Sequence, residues 1–214
     1  MKINILSGDC MAEYSEQLGI KEHTTPFGEA VISGKLTENI FSKEFISARA
    51  ASLGTSPEKY SRKIAQPLSK LRPDDEVHLW FGKDMFCQMN LICVLAVLEK
   101  AGIKSAIFHE VFEDQMIEKG STVIETSGFS EVFRNVLINH KPTVTKVDSI
   151  NSAMEMYFEF ISTNGPLCDF IRSNNEDSVL TLTFKIIKGF AQYGLGDIQC
   201  KELILRVRGE NQSE

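Results

Sequence analysis

A short apolar run, Val77-His-Leu-Trp-Phe81, stops at Gly82-Lys83, and Asp84 then opens a stretch that is apolar on almost every side. Met85, Phe86, Met89, Leu91, Ile92, Val94, Leu95, Val97 and Leu98 wrap most of a helical circumference, which predicts a helix buried from several directions. Gly102 ends that helix, and a second extended run follows from Lys104 to His109. A strand, a helix and a strand at this spacing form a βαβ unit, which imposes a right-handed crossover and a parallel strand pair. In open α/β sheets the ligand crevice lies beyond the carboxyl ends of the strands. This one motif therefore sets the fold class and the place to look for a site.

The rest of the first half agrees. Lys2 to Leu6 reads as a strand, Ser7-Gly8-Asp9 as turn and cap, and a helix runs to about Leu18-Gly19. A short extended piece is expected around Ala30 to Ile32. Phe41, Phe45, Ala48 and Ser52 fall at helical spacing, so a helix spans roughly 42–53. Ser56-Pro57 is an N-cap followed by proline at the first helical position, opening a helix to about Leu71. The texture changes near His140-Lys141-Pro142. Beyond it, helix-favouring segments (145–161, 166–171, 180–191) alternate with loop signals and end in a polar tail from 208. The expectation is an α/β domain over 1–140, with a mostly parallel, Rossmann-like open sheet flanked by helices. A helical extension over 141–214 packs on it, because about 70 loop-rich residues bury little alone.

Composition narrows the function classes. Of the 214 residues, 43% are hydrophobic and 24% charged, as in an ordinary globular chain, and the net charge of −6 argues against nucleic-acid binding through a basic face. No run approaches the roughly 18 apolar residues of a membrane span, and the N-terminal apolar run is too short for a signal sequence. A cytoplasmic location is expected. The five cysteines are scattered without a C-x-x-C pair, so they read as reduced, mostly buried small residues. Cys10, beside the first helix start, is the one placed where a thiolate would be stabilised.

Asp9 and Asp84 stand in the same relation to two strands, and if those strands are neighbours both carboxylates face one crevice. Such a pair, with Gln88 one turn beyond Asp84, suits a hydrated divalent cation, acid–base work or a ribose hydroxyl. Helix capping by Asp explains both residues equally well. Gly8 lets backbone amides approach an anion, but neither a Walker A loop nor a dinucleotide fingerprint is present. Glu29 can reach the crevice from a loop. Arg49, set among Ser47-Ala48 and Ala50-Ala51, either clamps a phosphate or carboxylate or pairs structurally with Asp84 or Glu29. His109-Glu110, with Glu113 and Asp114 close behind, offers donors near the same edge at a spacing that matches no known metal site. His78, alternating with Trp80, reads as a hydrogen-bonded interior histidine.

Gly8-Asp9, Glu29-Ala30, Arg49-Ala50 and the run Leu79-Trp80-Phe81 with Asp84, Phe86, Gln88, Asn90 and Leu91 form a recurring pattern. It resembles that of bacterial proteins catalogued as domain of unknown function 1835. Lys141-Pro142-Thr143-Val144-Thr145 continues the likeness, which spans most of the chain. Two positions depart from it: Gly28 stands where an arginine is common, and Gly82-Lys83 where a Glu-His pair is common. The resemblance implies the fold and the site and brings no activity with it. Two functions follow from the residues. One is an enzyme on a nucleotide-like or phosphorylated small molecule, using Asp9, Glu29 and Asp84 as catalytic groups and Gly8, Arg49, Gln88 and His109 for the ligand. The other is a non-catalytic module that senses a ligand or binds a protein partner or a second copy. An enzyme needs its carboxylates and Arg49 in mutual reach; a partner-binding module needs an exposed apolar patch on its helices.

Overall fold

The computed structural model describes residues 1–21, 23–112 and 117–209. Its sheet has five strands in the order β2-β1-β3-β4-β5: β1 (Lys2–Leu6), β2 (Thr24–Pro26), β3 (Glu76–Phe81), β4 (Ser105–Phe112) and β5 (Ile117–Glu125). The first four are parallel, and β5 folds back antiparallel on β4 as an edge strand. The α/β reading therefore stands. Two expectations are corrected. Residues 30–32 form no strand; the extended piece is β2, six residues earlier, and it pairs with β1. β4 continues past His109 to Phe112, and β5 was not foreseen, because Ile117-Glu-Lys-Gly-Ser121 lacks a clear alternation.

Alternation within the strands separates two unequal faces. Ile3, Ile5, Val77, Leu79, Phe81, Ala106 and Phe108 point into the main core. Leu6, Trp80 and Val111 point the other way, into a small cluster with Met11 and Ile20. The thin side is covered by α1 (Asp9–Glu13) and the turns that follow it; the first helix is thus far shorter than the sequence suggested. The thick side carries α5 (Met85–Lys100), in which every residue from Met85 to Leu98 except Phe86 is buried. Two smaller helical units complete that side. The first is α2 (Lys43–Ser52), capped by Ser42. The second is α3 (Pro57–Tyr60), capped by Ser56, which passes through a π-turn (Ser61–Ala65) into α4 (Gln66–Leu68). Both caps accept a backbone N–H three residues on, as serine does at this position.

After β5 come α6 (Phe129–Phe133), with a π-turn at Arg134–Ile138, then α7 (Asp148–Ser162), α8 (Pro166–Ser173) and α9 (Val179–Gly189). A 3-10 turn (Ala191–Tyr193) leads to α10 (Asp197–Arg208). The helical extension shares one continuous core with the α/β half, running from Ile3 through α5 to Ile150, Tyr157, Leu182 and Ile204. It meets the crevice at Gly194, whose φ of 63 lies in the left-handed region and whose Cβ, if present, would sit 1.9 Å from Asp84 Oδ1. Only glycine satisfies both conditions. Gly194→Ala is expected to lower the unfolding free energy by about 1–3 kcal/mol, read by urea denaturation. An unchanged midpoint would mean that this contact does not hold the extension down.

Candidate functional site

The chain runs from β1 outward to β2 on one side and reaches β3 on the other, so the order reverses between β1 and β3. Leu6 pairs with Trp80, which places Ser7-Gly8-Asp9 and Gly82-Lys83-Asp84 side by side at the carboxyl edge. This is the crevice in which open α/β sheets bind ligands. The two aspartates meet different fates there. Asp84 is the N-cap of α5: its Oδ1 accepts the Cys87 N–H at 2.9 Å, and Gly194 lies against it. Asp9 caps nothing, since Gly8 holds the cap position without a side-chain bond. Its carboxylate instead meets Lys63 Nζ at 2.5 Å, both side chains about half exposed, with Gly28 beneath. Gly8 opens onto free space, and Cys10, two residues on, is exposed.

Glu29 and Arg49 lie elsewhere, inside the protein. Their side chains are 1% and 0% exposed and joined by a 2.6 Å salt bridge. Arg49 also donates to the carbonyls of Ala30 and Ser33, while Glu29 accepts from Tyr60 Oη at 2.5 Å and from the Ala30 N–H. Burial and the Glu29 charge drive the Tyr60 hydroxyl far above its ordinary pKa, so it stays a donor. Every hydrogen-bonding nitrogen of the guanidinium is occupied. The network stitches the irregular segment after β2 to α2 and α3. Asn90 holds the same segment from α5 by bonding the Glu29 carbonyl at 2.7 Å and the Val31 N–H at 3.1 Å, standing in for a missing strand partner. Gln88, assigned in the sequence to a ligand, is likewise fully buried. It donates to the Gly82 carbonyl at 2.6 Å and accepts from Ser149 Oγ on α7 at 3.0 Å. Glu29, Arg49 and Gln88 thus position backbone and do not line the crevice.

His109 is on the thin face, level with Trp80 in the β3–β4 register, and its ring engages His78 and Glu118. Its Nε2 lies 2.8 Å from His78 Nδ1, and its Nδ1 lies 2.7 Å from Glu118 Oε1 on β5. His78 Nε2 in turn meets Glu76 Oε1 at 2.7 Å. Trp80 stacks on His109 with ring centroids 3.9 Å apart and donates its indole N–H to Asn4 Oδ1. A cavity of about 330 Å³ opens beside this group, lined in part by Lys2, Lys21 and His23. Glu110, on the opposite face of β4, pairs with Lys83 at 2.7 Å, while Glu113 and Asp114 lie outside the described residues. The His78–His109 partnership was invisible in the sequence. His78 read as an interior hydrogen-bonded histidine, but its partner is fixed only by the β3–β4 register.

Among the described residues no group of three or more His, Cys, Asp or Glu side chains is arranged to hold a metal ion. Nor is any helix among them long and apolar enough to cross a membrane. Comparison with protein-family models, curated proteins and solved structures found no match.

The buried ion pair generates a stability prediction. Arg49→Met leaves an unpaired carboxylate inside the protein and is expected to cost about 3–5 kcal/mol in urea denaturation. Adding Glu29→Gln recovers a large part of that loss. If Arg49 served only a ligand, the single change would leave the midpoint where it was.

Proposed function

We propose that this protein is a non-catalytic interaction module that associates with a second copy of itself through α9. The observation that carries this reading is an apolar stripe on the solvent side of that helix. Leu180 and Phe184 are each 67% exposed and Ile187 is 44% exposed, at the i, i+4, i+7 spacing of one helical face, while Leu182, Thr183 and Ile186 face inward. A helix apolar on both sides has a second surface to cover. Ile198, on the adjoining α10, adds another exposed apolar side chain. The catalytic alternative draws less support, because Glu29 and Arg49 are sealed and Asp84 is spent on a cap.

A twofold partner fits the stripe. Antiparallel pairing of two α9 helices sets Leu180 of one copy against Ile187 of the other, with the two Phe184 rings meeting at the axis. The helix dipoles oppose, and exposed Lys188 at one end approaches exposed Glu176 before the other copy's α9. An apolar centre with a charged rim is the usual anatomy of an interface. Sedimentation equilibrium over a wide concentration range tests this. The wild type is expected to dimerise, and Phe184→Glu to weaken association on the order of thirtyfold or more while far-ultraviolet dichroism is unchanged. A wild type that stays monomeric throughout, or a dimer indifferent to Phe184→Glu, overturns the reading.

A specific observation favours a second reading: Asp9 and Lys63 stand half exposed at the chain-reversal crevice. A carboxylate beside an ammonium suits a nucleotide-like ligand, the first taking a ribose hydroxyl and the second a phosphate. A thermal-shift screen of nucleotides and sugar phosphates, with and without a divalent cation, should then raise the wild-type melting temperature and leave Asp9→Ala unmoved. No shift from any of them removes this ligand class.

A further inference from the structure

Glu76, His78, His109 and Glu118 form one continuous line across β3, β4 and β5, with successive contacts of 2.7, 2.8 and 2.7 Å. The two imidazole planes are 14° apart and their centroids 5.0 Å apart, close to the 2.8 Å N···N contact plus one ring radius (about 1.1 Å) at each end, so the central contact lies near the ring planes, as an N–H···N bond requires. Counting protons along this line decides its charge. Each terminal nitrogen, His78 Nε2 and His109 Nδ1, faces a carboxylate oxygen and must carry a hydrogen to bond it. The central pair, His78 Nδ1 and His109 Nε2, needs one hydrogen between two nitrogens. Three contacts therefore need three protons on two rings, one more than two neutral imidazoles hold. With two protons, one contact sets lone pair against lone pair. With four, two N–H groups collide at 2.8 Å.

We propose that His78 and His109 form a buried proton-binding site, holding one shared proton as a single imidazolium between the carboxylates of Glu76 and Glu118. The surroundings suit that charge. Both rings are buried, where an unpaired cation would be costly, yet each end is closed by an anion. The face of Trp80 lies on His109, adding a cation–π contact. The bond to His78 holds Glu76 below the ordinary carboxylate range, consistent with its being ionised. Opposing charges come from Lys2 on β1 and from Lys21, which line the neighbouring cavity together with the titratable His23; the Met1 ammonium is drawn off to Asp75. Burial, outweighing the pull of Glu118, pushes His109 below the usual histidine value. A second proton thus enters the pair only under more acidic conditions than in the unfolded chain.

The site has a structural consequence. Glu118 belongs to the edge strand and lies past the register shift at Glu110/Val111, so the shared proton ties β5 to β4 and, through His78, to β3. The sign of the pH effect follows from proton counts. Below about pH 6.5 the unfolded chain takes a proton on each histidine, whereas the folded pair retains one. Above that pH the unfolded chain releases both protons while the folded pair still holds one, so the site's stabilisation is greatest near about pH 6.5 and declines both as the pH falls below it and as the pH rises toward the release of the shared proton.

Long-range proton–nitrogen correlation spectra of the histidine rings in ¹⁵N-labelled protein test the count directly, with His23→Gln and His140→Gln used for assignment. Three of the four nitrogens of His78 and His109 are expected to be protonated at neutral pH. Two protonated nitrogens, meaning two neutral rings, would overturn the proposal whatever the stability of any variant. Glu118→Gln preserves an acceptor oxygen but removes its charge. It should move the loss of the third proton downward by about one pH unit or more; an unmoved midpoint would contradict the shared site.

Discussion

The structure depends on the burial of α5. A helix with no solvent-facing side needs three covers, and the chain supplies them in turn: the thick face of the sheet, α6 with α7, and the turn leading into α10. That requirement explains why the C-terminal helices belong to the same core as the strands instead of forming a unit of their own. It also explains the two buried amides on α5. In a helix wholly surrounded by protein, Gln88 and Asn90 can be tolerated only where their hydrogen bonds are met. Both meet them by holding neighbouring loops: the Gly82 turn and α7 for Gln88, and the Glu29–Val31 segment for Asn90.

The same logic governs Glu29 and Arg49. The chain between β2 and α2 is irregular, and its carbonyls cannot find partners in a sheet. A guanidinium answers several of them at once, and a carboxylate neutralises it in turn. Residue type alone cannot distinguish this from a ligand clamp, because both uses exploit the same bidentate fork. What separates them is access to solvent, and access is a property of packing.

Legibility followed the range of the interactions. The β3–α5 unit could be read from residues 76–101 because period, length and cap all lie within a few turns of one another. The serine caps of α2 and α3 were legible for the same reason. β5 was obscured by Lys119-Gly120, and its placement comes from pairing with β4, where charged residues are acceptable on an edge strand. Asp9 and Asp84 looked equivalent in sequence because each follows a strand. They part only because Gly8 occupies the cap position of α1 and Gly194, over a hundred residues away, closes over Asp84. The line through His78 and His109 joins residues 31 apart, and only the parallel register of β3 and β4 brings their rings together.

The unequal faces of the sheet complete the argument. Parallel sheets are normally covered on both faces because their strands are apolar on both. Here the covering on one face is a five-residue helix and a run of turns, too little to bury a full apolar surface. The strands respond on that face with Asn4, His78 and His109 among Leu6, Trp80 and Val111. A partly polar face needs less cover, provided its polar atoms bond to one another, and the line from Glu76 to Glu118 does that. The extra proton is then a consequence of the topology. Three strands are tied by acceptor-rich ends through two rings, and only a cation between them leaves no bond unmade.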